Sequence, residues 1–133
     1  MRTQEFEVDT RERRVTDITE RVASFASEAQ DGLLHAFLPH ATAGLALIET
    51  GSGSERDLDD ALDRLLPRDD RYAHRHGSRG HGADHLMPAF VSPSLVLAVE
   101  RGRVVLGTWQ RVVVVDSNRE NNVRRVRLAL LEG

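Results

Sequence analysis

The chain has 133 residues, 40% of them hydrophobic and 29% charged, with a formal net charge of −3. This is the balance of one globular domain spanning residues 1–133, and the mild acidity argues against a general nucleic-acid binder, whose affinity rests on cationic contacts to phosphates. Cysteine is absent and all 18 basic residues are arginine, so disulfides, thiolate ligands, lysine Schiff bases and a phosphate-binding lysine of the P-loop kind are excluded together.

No apolar run is long enough to cross a bilayer, and the first residues, MRTQEFEVDTRERR, lack the apolar stretch of a signal peptide. The expectation is a cytoplasmic protein with no membrane contact. Thr3–Thr10 alternates, with Phe6 and Val8 on one side, as a half-buried strand does. Ile18, Val22, Phe25 and Ala26 share a helical face, with Thr16 or Asp17 as the cap. Asp31-Gly32 breaks that helix and opens an apolar strand, Leu33–Leu38, which Pro39 ends.

A buried strand follows at Gly44–Glu49. After Gly51–Ser54, the residues Leu58, Ala61, Leu62, Leu65 and Leu66 recur at helical spacing up to Pro67, and Ser54 with Asp57 has the form of a capping box. Arg68–Pro88 has no sustained period and reads as a long loop, the kind that tends to carry function. Leu95–Val99 and Val104–Leu106 around Arg101-Gly102 predict a hairpin. Val112–Val115 and Val126–Leu131 add two strands across the polar turn Asp116–Asn122. About seven strands and two helices predict an α+β fold, mostly antiparallel β-sheets packed as a sandwich.

Chemistry concentrates in three places. His40-Ala41-Thr42-Ala43-Gly44 sets an imidazole and a hydroxyl among small residues between two strands. The Arg68–Pro88 loop holds four of the six histidines: His74, His76, His81 and His85. Three imidazoles form a common zinc set with an open position for water or substrate, and His40, His74 and His85 are the candidates, with Asp84 placed to orient a ligand. His76 and His81 read as solvated. Glu49 is a candidate general base or metal ligand at a strand end, its alternative being a pair with an arginine. Asp57 is either functional or a helix cap. Arg71, Arg75 and Arg79 offer guanidinium groups to an anion or form a solvated basic loop. Trp109 reads as a packing residue and Gln110 as an amide facing a pocket or a subunit boundary.

Taken in order, His40-Ala41-Thr42-Ala43, Glu49, Asp57-Leu58, Tyr72-Ala73-His74, Ala83-Asp84-His85-Leu86 and Leu106-Gly107-Thr108-Trp109-Gln110 resemble the YjbQ-like family, which is associated with secondary thiamine-phosphate synthase activity. The resemblance runs from about Phe6 to Gly133. It implies a small α+β domain assembling as a homotrimer, a polar site near subunit boundaries, and convergence of His40, His74 and His85 with Glu49, Asp57 and Gln110 nearby. It also implies transferase chemistry on a small phosphorylated compound. The cofactor would be a divalent metal, zinc by ligand type or magnesium if the reaction is phosphoryl chemistry. The alternative is a non-catalytic trimeric protein that binds a metabolite or phosphate.

The chain departs from the family pattern at several points. Ile48 and Thr50 stand where many members carry Asn. The usual Asn-x-x-Ala-His reads as shortened to Gly82-Ala83-Asp84-His85, and the Asp-Gly-Pro-Arg turn becomes Asp116-Ser117-Asn118-Arg119. These changes bear on substrate choice rather than on fold.

Overall fold

A computed structural model describes all 133 residues. Eight strands form two sheets: β1 (Arg2–Asp9), β8 (Val123–Glu132), β3 (Gly32–Phe37), β5 (Ser94–Glu100) and β6 (Arg103–Val104), in that order, make sheet A. Sheet B is β2 (Val15–Asp17), β7 (Arg111–Asp116) and β4 (Ala43–Ile48). Every pairing is antiparallel. Three helices accompany them: α1 (Thr19–Ala26), α2 (Ser54–Leu65) and α3 (His81–Leu86), the last running into a 3₁₀ turn at Met87–Ala89. The fold is α+β, a sandwich of mostly antiparallel sheets as the alternation predicts.

The four valines of β7 explain the layering. Val112 and Val114 face one apolar cluster with Leu34, Leu97, Leu128 and α1 residues Val22 and Phe25, while Val113 and Val115 face a second with Leu62, Leu66, Ala83 and Met87. Sheet B is therefore the middle layer. Sheet A covers one side and α2 with α3 cover the other, so β7 is apolar at successive positions rather than alternating. β1 and β8 have one buried face each, and Phe6 and Val8 alternate with exposed neighbours as a half-buried strand must.

Close approach fixes one glycine. A Cβ at Gly44 would run into the backbone carbonyl of Val91, because residues 91–93 cross β4 and accept there: Leu45 N–H donates to Ser92 O at 2.8 Å. The hairpin at Arg101-Gly102 forms as expected, with φ of 48° and 76°, the left-handed pair of a two-residue turn.

Four expectations need correction. The segment 68–88 is not loop throughout, since α3 and the 3₁₀ turn occupy its last part; six helical residues rich in His and Gly leave no periodic trace. Ile18, not Thr16 or Asp17, holds the cap position of α1, because those two residues lie in β2, a strand too short for a pattern and paired through Val15 with Val115; the Asp17 carboxylate still accepts the Thr19 N–H at 2.9 Å. The second strand of the hairpin ends at Val104, not Leu106. Ser54 does not cap α2: Gly53 holds the cap position at φ 94°, Ser54 begins the helix, and Glu55 reaches back to the N–H of Gly51 at 3.1 Å.

Candidate metal centre

α2 ends before Pro67, and the chain folds back across the end of sheet B. Tyr72 anchors the return through its hydroxyl, which donates to Pro67 O at 2.7 Å. Gly77 and Gly80 turn the backbone at φ of 78° and 82°. At Gly82 a Cβ would press on Tyr72 Cβ and on His74 O, so the missing side chain lets the His74 segment lie against α3. Two links tie the segment to the β7–β8 turn: Glu120 accepts the Ser78 N–H at 3.1 Å, and Arg68 donates to Ser117 O at 3.1 Å.

This packing brings four imidazoles together. One ring nitrogen from each of His74, His76, His81 and His85 lies within 4.8 Å of all the others. His81 and His85 stand one helical turn apart on the same face of α3, their Nε2 atoms 2.9 Å from each other. His74 lies 4.1 Å from His85 and 4.0 Å from His76, ring centre to ring centre. Desolvation lowers the pKa of His74 and of His85, and the neighbouring imidazoles lower both further. Both rings are held towards the neutral form, which is the form that ligates metals.

Asp84 lies beside the cluster. Its carboxylate is fully buried, pairs with Arg68 through Oδ1 and sets Oδ2 3.5 Å from His81 Nδ1. Around His74, His76 and His81 opens a cleft of about 290 Å³, also lined by Arg75, Ser78 and Arg79, with no apolar side chain in its wall. Arg79 approaches Asp70 only to 3.9 Å and Arg75 binds Tyr72 O through Nε alone, so both keep guanidinium donors for a ligand. Arg71 is committed to Asp69.

The structure separates several residues grouped by the sequence reading. His74 and His85 meet, but His40 does not join them within one chain. Its Nδ1 faces two donors, the Thr42 N–H at 3.2 Å and the Thr42 hydroxyl at 3.0 Å, while Asn118 Nδ2 donates to that hydroxyl at 3.1 Å. The neutral ring therefore carries its proton on Nε2. Desolvation and the nearby Arg124 charge lower its pKa, and Asp116 opposes them. Glu49 and Gln110 flank the opposite end of β4 and β7, just past the Ile48 and Arg111 pair, about 20 Å away along a six-residue strand.

Glu49 is half-buried without an arginine partner, Arg111 being taken by Asp17 at 2.7 Å and Glu20 at 3.1 Å. Asp57 is exposed in the first turn of α2, apart from these groups. Gln110 closes a tight turn, its Oε1 accepting the Gly107 N–H at 2.7 Å. Trp109, read as packing, is 71% exposed, because that turn projects it from the single chain.

His76 and His81, both read as solvated, stand in the cluster; His76 is exposed as expected, whereas His81 is buried. A signal for His81 was the spacing of four residues to His85, which places both on one face once the segment is helical, and His81 Nδ1 lies 3.5 Å from Asp84 Oδ2.

Fold and site together define a small antiparallel sandwich with an imidazole-rich loop braced on its outer helical layer. The chain belongs to the UPF0047 protein YjbQ-like family, whose sequence profile matches residues 4–133. A UPF0047 protein of Mycobacterium tuberculosis is 57% identical over 133 residues, 100% of both chains. UPF0047 protein YjbQ of Escherichia coli O157:H7 is 32% identical over 103 residues, 77% of this chain and 74% of that one. Among solved structures, a hypothetical protein from Aeropyrum pernix K1 aligns at TM-score 0.88 with 31% identity over 100% of each chain. A YbjQ-like protein of unknown function from Sulfolobus solfataricus P2 aligns at 0.91 with 22% identity, covering 99% and 97%, a likeness of fold. No helix is long and apolar enough to cross a membrane.

Proposed function

We propose that the protein binds a divalent transition metal, zinc by ligand type, on the His74, His76, His81 and His85 cluster and acts on a small phosphorylated substrate in the adjoining cleft. The observation that carries this reading is the meeting of four imidazole nitrogens within 4.8 Å in a chain with no cysteine. Such a donor set suits zinc and its neighbours, whereas magnesium prefers oxygen ligands, and of the carboxylates nearby Asp84 is turned to Arg68, Asp69 to Arg71 and Glu120 to the Ser78 N–H. When bound, the ion would polarise a phosphoryl oxygen or acidify a water. Arg75 and Arg79 would hold the anionic group at the cleft mouth.

Thiamine-phosphate synthesis would join a pyrimidine pyrophosphate to a thiazole phosphate. The polar cleft accepts charged groups of that kind, but the imidazole ligands favour a zinc-class ion over the magnesium usual for pyrophosphate. We place that reaction, if the protein performs it, as a side activity. Assembly as a cytoplasmic homotrimer is part of the same proposal. It is supported by Leu33, Val96 and Leu131 standing 52%, 62% and 61% exposed on the outer face of sheet A, and by Trp109.

Metal content of protein purified without a histidine tag tests the reading. One equivalent of zinc that disappears in His74→Ala and His85→Ala supports it. Tight phosphate or pyrophosphate binding by metal-free protein, measured by calorimetry, would favour the non-catalytic binding protein instead. A native mass near three chains tests the assembly.

A further inference from the structure

Two buried polar atoms face each other without a hydrogen bond. His81 is 6% exposed and Asp84 0%, and neither His81 Nδ1 nor Asp84 Oδ2 has a partner. An unpaired oxygen of a buried carboxylate is costly, as is an unpaired ring nitrogen. Their separation, 3.5 Å, is a few tenths of an ångström beyond a good N–H to O bond.

The other atoms of both groups are already engaged. Asp84 Oδ1 takes Arg68, which also grips Ser117 O, so the carboxylate is held from the β7–β8 turn as well as from α3. His81 Nε2 points into the imidazole cluster, 2.9 Å from His85 Nε2. A proton on His81 Nδ1 would satisfy Asp84 Oδ2 and leave the Nε2 lone pair aimed at the centre of the cluster. A proton on Nε2 would do neither.

We infer that Asp84 is a positioning residue for the metal centre: it accepts the Nδ1–H of His81, fixes the tautomer that presents Nε2, and thereby sets metal affinity, with Arg68 holding the carboxylate in place. This inference rests on the metal reading of the cluster. A carboxylate behind a ligating histidine typically changes metal affinity by about 10- to 100-fold.

The test is titration of metal-free protein with Zn²⁺ against a chelator, and with Co²⁺ followed by visible absorption, in wild type, Asp84→Asn, His81→Ala and the double variant. Asp84→Asn should weaken Zn²⁺ binding by about 10- to 100-fold and alter the Co²⁺ spectrum. In the His81→Ala background the same change should cost little, because Asp84 acts through His81. Equal affinity and an unchanged spectrum in Asp84→Asn overturn the inference, as does an undiminished loss in the His81→Ala background. Thermal unfolding of each metal-free protein controls for the loss of the Arg68 pair. Should Asp84→Asn fail to fold, Arg68→Gln with Asp84→Asn, neutral at both ends, is titrated in its place and read by the same outcomes. Wild type that takes up no metal sinks the metal reading along with this one; wild type that binds while Asp84→Asn binds equally well sinks this one alone.

Discussion

Arg124 and Asp116 form an ion pair, Nε to Oδ2 at 2.8 Å, with both side chains wholly withdrawn from solvent. Around it the Thr10 hydroxyl donates to Oδ2 at 2.6 Å and the Asn118 N–H to Oδ1 at 3.0 Å, while Arg124 also donates to the Asn121 and Glu120 carbonyls. The pair thus shapes the turn that reaches Thr42 on one side, through Asn118, and the histidine segment on the other, through Glu120 and the Ser78 N–H.

Removing one partner leaves the other charge buried and alone, which costs about 3–5 kcal/mol. Arg124→Met and Asp116→Ala are therefore expected to lower unfolding free energy in urea by about that amount. A loss below about 1 kcal/mol for both would mean that water reaches the site once a side chain is cut back. Replacing both partners at once should cost less than the sum of the two single changes.

Gly44 carries a purely steric prediction. A methyl group there meets the Val91 carbonyl, a backbone atom that cannot rotate away, so Gly44→Ala must push β4 and the 91–93 crossing apart. The expected loss is about 1–3 kcal/mol, read as a lower midpoint in thermal or urea unfolding. An unchanged midpoint would show that the crossing is free to move.

The parts of this molecule that were legible in sequence are those with a repeating physical reason. β1 alternates because one face is wet, and α2 shows its leucines every three or four residues because one face meets β7. The Val112–Val115 run announced a buried strand, though not that it lies in the middle of three layers. The histidine cluster follows another logic. His74 and His76 come from irregular backbone, His81 and His85 from a helix too short to leave a period, and contact between them depends on Gly82 and on the Glu120 tether from 38 residues beyond Gly82. His40 stands apart within one chain because small neighbours make room for a ligand and for a local hydrogen bond alike, and Thr42 two residues on supplies the bond.

The histidine cluster should make the metal-free protein acid-sensitive. His74 and His85 have folded-state pKa values below the ordinary 6.5, so the unfolded chain takes up their protons more readily than the native one. Stability is then full above about 6.5 and falls as pH drops towards the lowered folded values, since protonation favours the unfolded state. Tm measured between pH 7.5 and 5 should fall, and fall less in His74→Gln with His85→Gln. An identical pH dependence in the double variant would remove these two rings as the cause.

Asp17 adds an effect of the same sign at lower pH. Burial alone would raise its pKa, but the Arg111 guanidinium and the Thr19 N–H outweigh that and hold it at about 2. A depressed carboxylate stabilises the fold above its unfolded value near 3.8 and loses that contribution as pH falls towards 2. Asp17→Asn should flatten the acid limb of the stability curve below pH 4, and a limb of unchanged slope would assign acid unfolding to other carboxylates.

His40 and His85 separate two versions of the metal site. In one chain His85 stands among three other imidazoles, whereas His40 bonds Thr42 through the very nitrogen that would have to be free if Nδ1 were the ligand, and carries its proton on the other. Zinc stoichiometry should therefore survive His40→Ala and collapse in His85→Ala, as measured by elemental analysis of tag-free protein. The opposite result, zinc lost on changing His40, would require Thr42 to release the ring and a neighbouring protomer to bring its own His40 to the cluster. Mixing His40→Ala chains with His85→Ala chains would then restore zinc wherever an intact His40 meets an intact cluster across a subunit boundary. With a site built within one chain, the same mixture would hold zinc only in proportion to its His40→Ala chains.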